Sequence, residues 1–135
     1  MIPHWKKGNG PRDNKYRAKK TIIDNIPFDS LTEGRRYLQL KTFEKLGELK
    51  ILKVHPEFNL LEDFTDTWTG KKVRGLKYTG DFLLLYTGSD HRVCEDVKGV
   101  KTRDFQVRWK LAKFMYPEVE FRLWPQEKAK GKRKV

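Results

Sequence analysis

The run Glu95-Asp96-Val97-Lys98 places a carboxylate and an ammonium two residues apart. On a strand, alternate side chains share a face, so Asp96 and Lys98 point one way while Glu95 and Val97 point the other. A carboxylate so placed can ligate a hard cation such as Mg²⁺ through oxygen. The ammonium beside it can orient, and help deprotonate, an attacking water. The same triplet also forms as an ordinary ion pair on a strand, and Glu95, facing away, is excluded from the site.

Asp81 adds a second acid. It opens the apolar run Phe82-Leu83-Leu84-Leu85-Tyr86 directly after Gly80, where a carboxylate is disfavoured by strand propensity and costly to bury unpaired. If residues 73–86 and 92–98 form a hairpin, Asp81 and Asp96 fall roughly opposite one another. Their repulsion then calls for a divalent cation, with Lys98, between them. The competing reading is that Asp81 caps a bulge at Gly80. Glu33 is the third acid: it reads as the glutamate of a capping box, and because it starts the helix face with Tyr37 and Leu40 it could also reach towards a second metal or its water. Arg35 and Arg36 follow it as phosphate contacts or solvated charges. Lys101, Thr102 and Arg103, at the start of a later helix, could bind a phosphate beside the metal, and Lys110 further along could touch backbone.

The elements that must position these groups are readable in the same way. Ser30 with Glu33, then Leu31, Tyr37, Leu38, Leu40, Phe43 and Leu46, predicts a helix over 30–47 stopped by Gly47. Leu49 to His55 reads as a strand, broken at Pro56 before Phe58 to Leu61. Glu62 to Lys72 reads as a loop in which Trp68 is a lid over the core or, less simply, a DNA-contacting wedge. Val73 to Tyr86 reads as one long strand interrupted at Gly80. It turns at Thr87-Gly88-Ser89-Asp90 into the return strand Arg92 to Lys98. Phe105, Trp109, Ala112 and Met115 share a helical face, with Leu111 and Phe114 beside it, and Pro117 closes that helix. Val119, Phe121 and Leu123 alternate in a last strand. A strand–helix–strand crossover implies parallel pairing, so the expected class is α/β, a mixed β-sheet flanked by helices.

At 135 residues the chain suits one domain. Its net charge of +12 is unevenly placed: residues 1–20 carry net +6 and residues 125–135 net +4, leaving +2 between. Such ends read as arms for a polyanion, or as solubility aids. Trp5 and Tyr16 lie among the first cations as stacking or packing groups. No apolar run reaches membrane-spanning length and the first ten residues lack a signal-peptide core, so the expected location is cytoplasmic. Cys94 alone supports neither a disulfide nor a cysteine-rich zinc site within the chain.

An acid on the first helix, an Asp opening the middle strand and Asp-x-Lys on the next one resemble the PD-(D/E)XK nuclease superfamily. More closely, Phe28-Asp29-Ser30, Glu33, Arg36-Tyr37, Lys77-Tyr78, Asp81-Phe82 and Glu95-Asp96-Val97-Lys98-Gly99 look like a phage-encoded family of that superfamily, similar to Holliday junction resolvases. The similarity spans about residues 15–124, with Gly80 where the motif's proline would stand. The resemblance implies a restriction-endonuclease-like αβββαβ core over 21–124, between a basic arm (1–20) and a basic tail (125–135). It also implies Mg²⁺ or Mn²⁺ and hydrolysis of DNA phosphodiesters. By position, Asp81, Asp96, the Val97 carbonyl and Glu33 would hold metal, and Lys98 would orient the nucleophile. Two coordinated cuts in a four-way junction would require a homodimer, inside a bacterial host cell if the chain is phage-encoded. The alternatives are a sequence-specific or nicking endonuclease and a non-catalytic nucleic-acid-binding protein.

Overall fold

The computed structural model describes residues 20–98 and 101–126. The basic arm up to Lys19, the tail from Glu127 and the Gly99-Val100 link expected beside the reactive strand lie outside the described residues. The chain forms two compact units, residues 1–35 and 36–135. Among the described residues no helix is long and apolar enough to cross a membrane.

In the first unit, β1 (Thr21–Ile23) and β2 (Ile26–Phe28) form an antiparallel hairpin. Asp24 and Asn25 take positive φ at its two-residue turn, which short polar side chains tolerate best after glycine. Helix α1 (Leu31–Lys45) begins here and runs into the second unit. The Ser30 hydroxyl accepts the Glu33 amide at 3.1 Å, the capping bond expected from the sequence. Gly34 abuts Thr21 and Ile23, leaving little room for a Cβ.

The second unit is built on a four-stranded sheet in the order β10-β9-β8-β3. After α1 come β3 (Leu49–Val54), β4 (Glu57–Leu61), β5 (Phe64–Thr65), β6 (Lys72–Val73), β7 (Leu76–Thr79), β8 (Phe82–Tyr86) and β9 (Arg92–Val97). Helix α2 (Arg103–Met115) then crosses to β10 (Val119–Trp124), which pairs parallel to β9. The β3, β8 and β9 pairings are antiparallel, so the sheet is mixed, as the crossover requires.

Two expected elements are redrawn. The strand expected over 73–86 is three segments, because the chain leaves one ladder at Gly80-Asp81: β7 pairs with β4, and β8 joins the main sheet. A Cβ at Gly80 would collide with the Cys94 sulfur, so only glycine permits this close crossing. On the facing chain His55-Pro56 makes the matching crossing between β3 and β4. The Gly80 amide donates to Pro56 O at 2.9 Å and the His55 amide to Asp81 O at 2.8 Å. The expected loop 62–72 is also a hairpin, with Phe64 opposite Val73 and Thr65 opposite Lys72. Trp68 at its turn is 95% exposed, so it is no lid.

Alternation along the strands sorts the core. Phe82, Leu84 and Val93 are buried, and Phe82 stacks on the α1 residue Tyr37 with ring centroids 6.3 Å apart. On the other side Cys94 joins Phe58, Leu60, Tyr78, Phe105, Ala112 and Phe121 in one cluster between the β4–β7 ribbon, α2 and β10. Each such ring or branched side chain contributes about 1.5–3 kcal/mol on burial. Met115 and Phe114, expected on or beside the buried face of α2, are exposed, because only Phe105 and Ala112 of that helix are fully covered.

Candidate metal centre

The sheet register carries the two aspartates together. Phe82 pairs with Glu95 in antiparallel register, so Asp81 lies opposite Asp96. The Asp81 amide donates to Glu95 O at 3.1 Å, and the Val97 amide donates to Asp81 Oδ2 at 2.6 Å. A backbone N–H aimed at a carboxylate is a charge-assisted bond that fixes its orientation. Asp81 therefore stands at a crossing between ladders, where the backbone is bonded on both sides.

Asp96 is almost wholly buried, at 1% exposure. Its Oδ2 accepts the Tyr78 hydroxyl, which reaches it from β7. Its Oδ1 is buried and accepts no hydrogen bond. The Lys98 ammonium lies 3.4 Å from that oxygen and packs 4.8 Å from the Phe105 ring centroid; this is a charge contact without hydrogen-bond geometry. A buried carboxylate oxygen lacking a donor is expensive, and a cation is the partner that such an oxygen is suited to take. Burial first, and then the adjacent Asp96 charge, push the Tyr78 phenol far above the ordinary tyrosine range, so it stays a donor. Burial pushes the Cys94 thiol up as well, with Asp96 and Asp81 adding to it.

Glu95 faces the opposite side, as alternation required. Arg36 of α1 grips it through Nε–Oε1 at 2.5 Å and Nη2–Oε2 at 2.9 Å, with the two side chains 11% and 1% exposed. Its guanidinium also lies 4.7 Å from the Trp124 ring centroid. This corrects the expectation that Arg36 meets phosphate: its fork is occupied by a buried acid that would otherwise be uncompensated.

The other expected phosphate contacts remain at the surface. Arg35, Lys101, Arg103 and Lys110 are exposed. The Thr102 hydroxyl, expected beside a phosphate, instead accepts the Phe105 amide at 3.1 Å as the cap of α2. Glu33, in the first unit, is buried at 6% exposure.

His55 was not singled out from the sequence. One of its ring nitrogens lies within 4.8 Å of an Asp81 carboxylate oxygen, a separation that a shared cation spans. Its φ of +56° marks the crossing that brings it there. The available signal was a histidine directly before Pro56, which has no N–H to donate to a strand ladder.

His55 and Asp81 offer a ring nitrogen and a carboxylate oxygen close enough to share a hard or borderline divalent cation, and the Lys98 ammonium offsets part of the Asp96 charge. Residues 13–131 match the model of a family described as Protein of unknown function (DUF1064). No curated protein and no solved structure matches the chain.

Proposed function

We propose, for a chain that belongs to the DUF1064 family of proteins of unknown function, that it is a metal-dependent endonuclease hydrolysing phosphodiesters of branched DNA, as a Holliday junction resolvase does. The observation that carries this reading is Asp96 Oδ1, buried without a hydrogen bond and 3.4 Å from the Lys98 ammonium. A purely structural Asp at such a position would have its oxygens satisfied. The order α1, β3, β8, β9, α2, β10, with the ribbon inserted after β3, supports the αβββαβ core that the resemblance implies.

In this reading Asp81 and Asp96 would hold Mg²⁺ or Mn²⁺, together with the Val97 carbonyl. The bound cation would supply Lewis acidity toward the phosphate oxygen and lower the pKa of water. Tyr78 fixes Asp96 by occupying Oδ2, so that Oδ1 faces the reaction. Lys98 orients the attacking water. The water oxygen forms the new bond to phosphorus as the bond to the leaving sugar oxygen breaks; the water's proton passes to solvent or a neighbouring base, and the leaving oxygen takes a proton from solvent. Arg35, Lys101, Arg103 and Lys110 are assigned to the DNA backbone. Paired cuts across a junction call for two copies of the chain.

The test compares wild type with Asp96→Asn on labelled four-way junction, linear duplex and single strand, with Mg²⁺ and with EDTA. The expected result is paired, symmetric junction cleavage that EDTA abolishes and Asp96→Asn lowers at least 100-fold. Equal cleavage of linear duplex would retain the nuclease and remove the resolvase. DNA binding without cleavage across Mg²⁺ and Mn²⁺ would leave a non-catalytic binder.

A further inference from the structure

Trp68 is the most exposed large hydrophobic side chain among the described residues, yet the backbone beneath it is firmly built. The Asp66 carboxylate accepts the Trp68 amide at 2.8 Å. The Asp66 amide donates to Lys71 O at 2.8 Å, the Gly70 amide donates to Asp66 O at 2.7 Å, and Thr69 Oγ1 accepts the Lys71 amide at 3.3 Å. Gly70 supplies the positive φ, 70°, that this turn needs. At the ribbon's waist the Asp63 carboxylate accepts the Gly75 amide at 2.7 Å, and a Cβ on Gly75 would run into the Leu61 carbonyl.

The charges divide in a telling way. Asp63 and Asp66 are engaged by the ribbon's own backbone, and the Trp68 amide holds the Asp66 carboxyl below its usual range. The side chains of Lys71, Lys72 and Arg74 have no hydrogen-bond or ion-pair partner among the described residues. Phe64 and Val73, paired across the ribbon, stay 48% and 36% exposed. With Asp63, Thr65, Lys72 and Arg74 they line a concavity of about 370 Å³.

We propose that this hairpin tip is a stacking wedge for unpaired bases of DNA, with Trp68 against a base face and Lys71, Lys72 and Arg74 on the adjoining phosphates. The substrate class rests on the nuclease reading; the wedge itself rests on the exposed ring and the unpartnered cations. Indole stacks on any base, so the contact selects unpaired or distorted DNA without selecting sequence. Glu62, Asp63 and Asp66 equal the three cations in number, but Asp63 and Asp66 are bonded to the ribbon's own amides, which leaves Lys71, Lys72 and Arg74 to meet outside phosphates. The same arm continues through β7 into Tyr78 and Asp81. From Asp81 back to Trp68 the extended chain spans at most roughly 43 Å, which puts the stacking contact within about thirteen nucleotides of the candidate centre.

The test measures binding separately from cutting. Asp96→Asn protein, with and without Trp68→Ala or Trp68→Phe, is titrated against a junction carrying 2-aminopurine at its centre and against plain duplex. Trp68→Ala is expected to lose roughly tenfold in junction affinity and the 2-aminopurine quench. Trp68→Phe should keep most of both, and duplex affinity should change less than twofold. An unchanged junction affinity and quench in Trp68→Ala would overturn the wedge and leave the tip as a protein-docking point. Cleavage by the Asp96-intact protein is scored in parallel. A wedge effect without any cleavage removes the nuclease and keeps the wedge; cleavage with no wedge effect does the reverse.

Discussion

Tyr78 makes the two oxygens of Asp96 unlike each other, one capped by a phenol and one left to a cation. Removing the hydroxyl in Tyr78→Phe is expected to cost about 1.5–3 kcal/mol, the worth of a hydrogen bond to a charged group, read as a shift in the urea midpoint. The pH dependence has a definite sign. The folded phenol is raised above its ordinary value of 10.0, so its stabilising contribution is complete below about pH 10. It is lost as pH rises, because the unfolded chain releases that proton first. Tyr78→Phe should flatten the alkaline fall in stability. At this scale the sequence was most informative where local spacing decides: Asp96 and Lys98 share a face, and Glu95 is excluded, by strand alternation alone. The partners that depend on distant pairing were not legible. Nothing in the order of residues tells Arg36 to take Glu95 rather than a phosphate, nor brings His55 to Asp81.

Besides Arg36, helix α1 is tied to the sheet by Glu44, a side chain that the helical pattern does not reveal. Glu44 Oε2 accepts the Ile51 amide of β3 at 2.7 Å, just where the β3–β8 register slips between Ile51 and Lys53. That bond, ahead of Lys41, lowers the Glu44 carboxyl below its ordinary value of 4.5. Glu44→Gln is expected to cost about 1 kcal/mol at pH 7. Since the folded value is the depressed one, the stabilisation is present above the unfolded value and lost as pH falls through the folded one. The gap between variant and wild-type melting temperatures should therefore close in acid. The elements themselves were largely legible, including both helices and the parallel last strand: Ser30 and Gly47 bound α1, Pro117 closes α2 and β10 alternates, although Leu31, Leu38 and Leu46 of the expected α1 stripe are exposed. The sharp change of ladder at Gly80-Asp81 was legible only as an interruption. A single glycine marks a break, but which sheet the next residues join depends on Cys94 and Pro56 packed around it. The 64–73 hairpin was missed because two-residue strands have no period to read.

Over the whole molecule, charge is segregated: residues 1–19 and 127–135 carry net +5 and +4, while the candidate centre sets Asp81 and Asp96 against Lys98. On the proposed function, a protein lacking both ends is expected to cleave with the same metal dependence while binding DNA more weakly at low salt. Its plot of log affinity against log salt should be shallower, since fewer counterions are released; an unchanged slope in anisotropy titrations would remove the ends from the interface. The uneven charge was legible from composition alone, whereas any partner surface between copies was not, since apolar periodicity reports only what faces the chain's own core. One further consequence follows from the paired crossings. Leu61 and Leu76 stand opposite each other in register, so the chain between them departs from and returns to a single place. The stretch is in effect a cassette. Mutation can lengthen it, trim it or exchange its tip while Asp81 keeps its bond from the Val97 amide and Asp96 its bond from the Tyr78 hydroxyl.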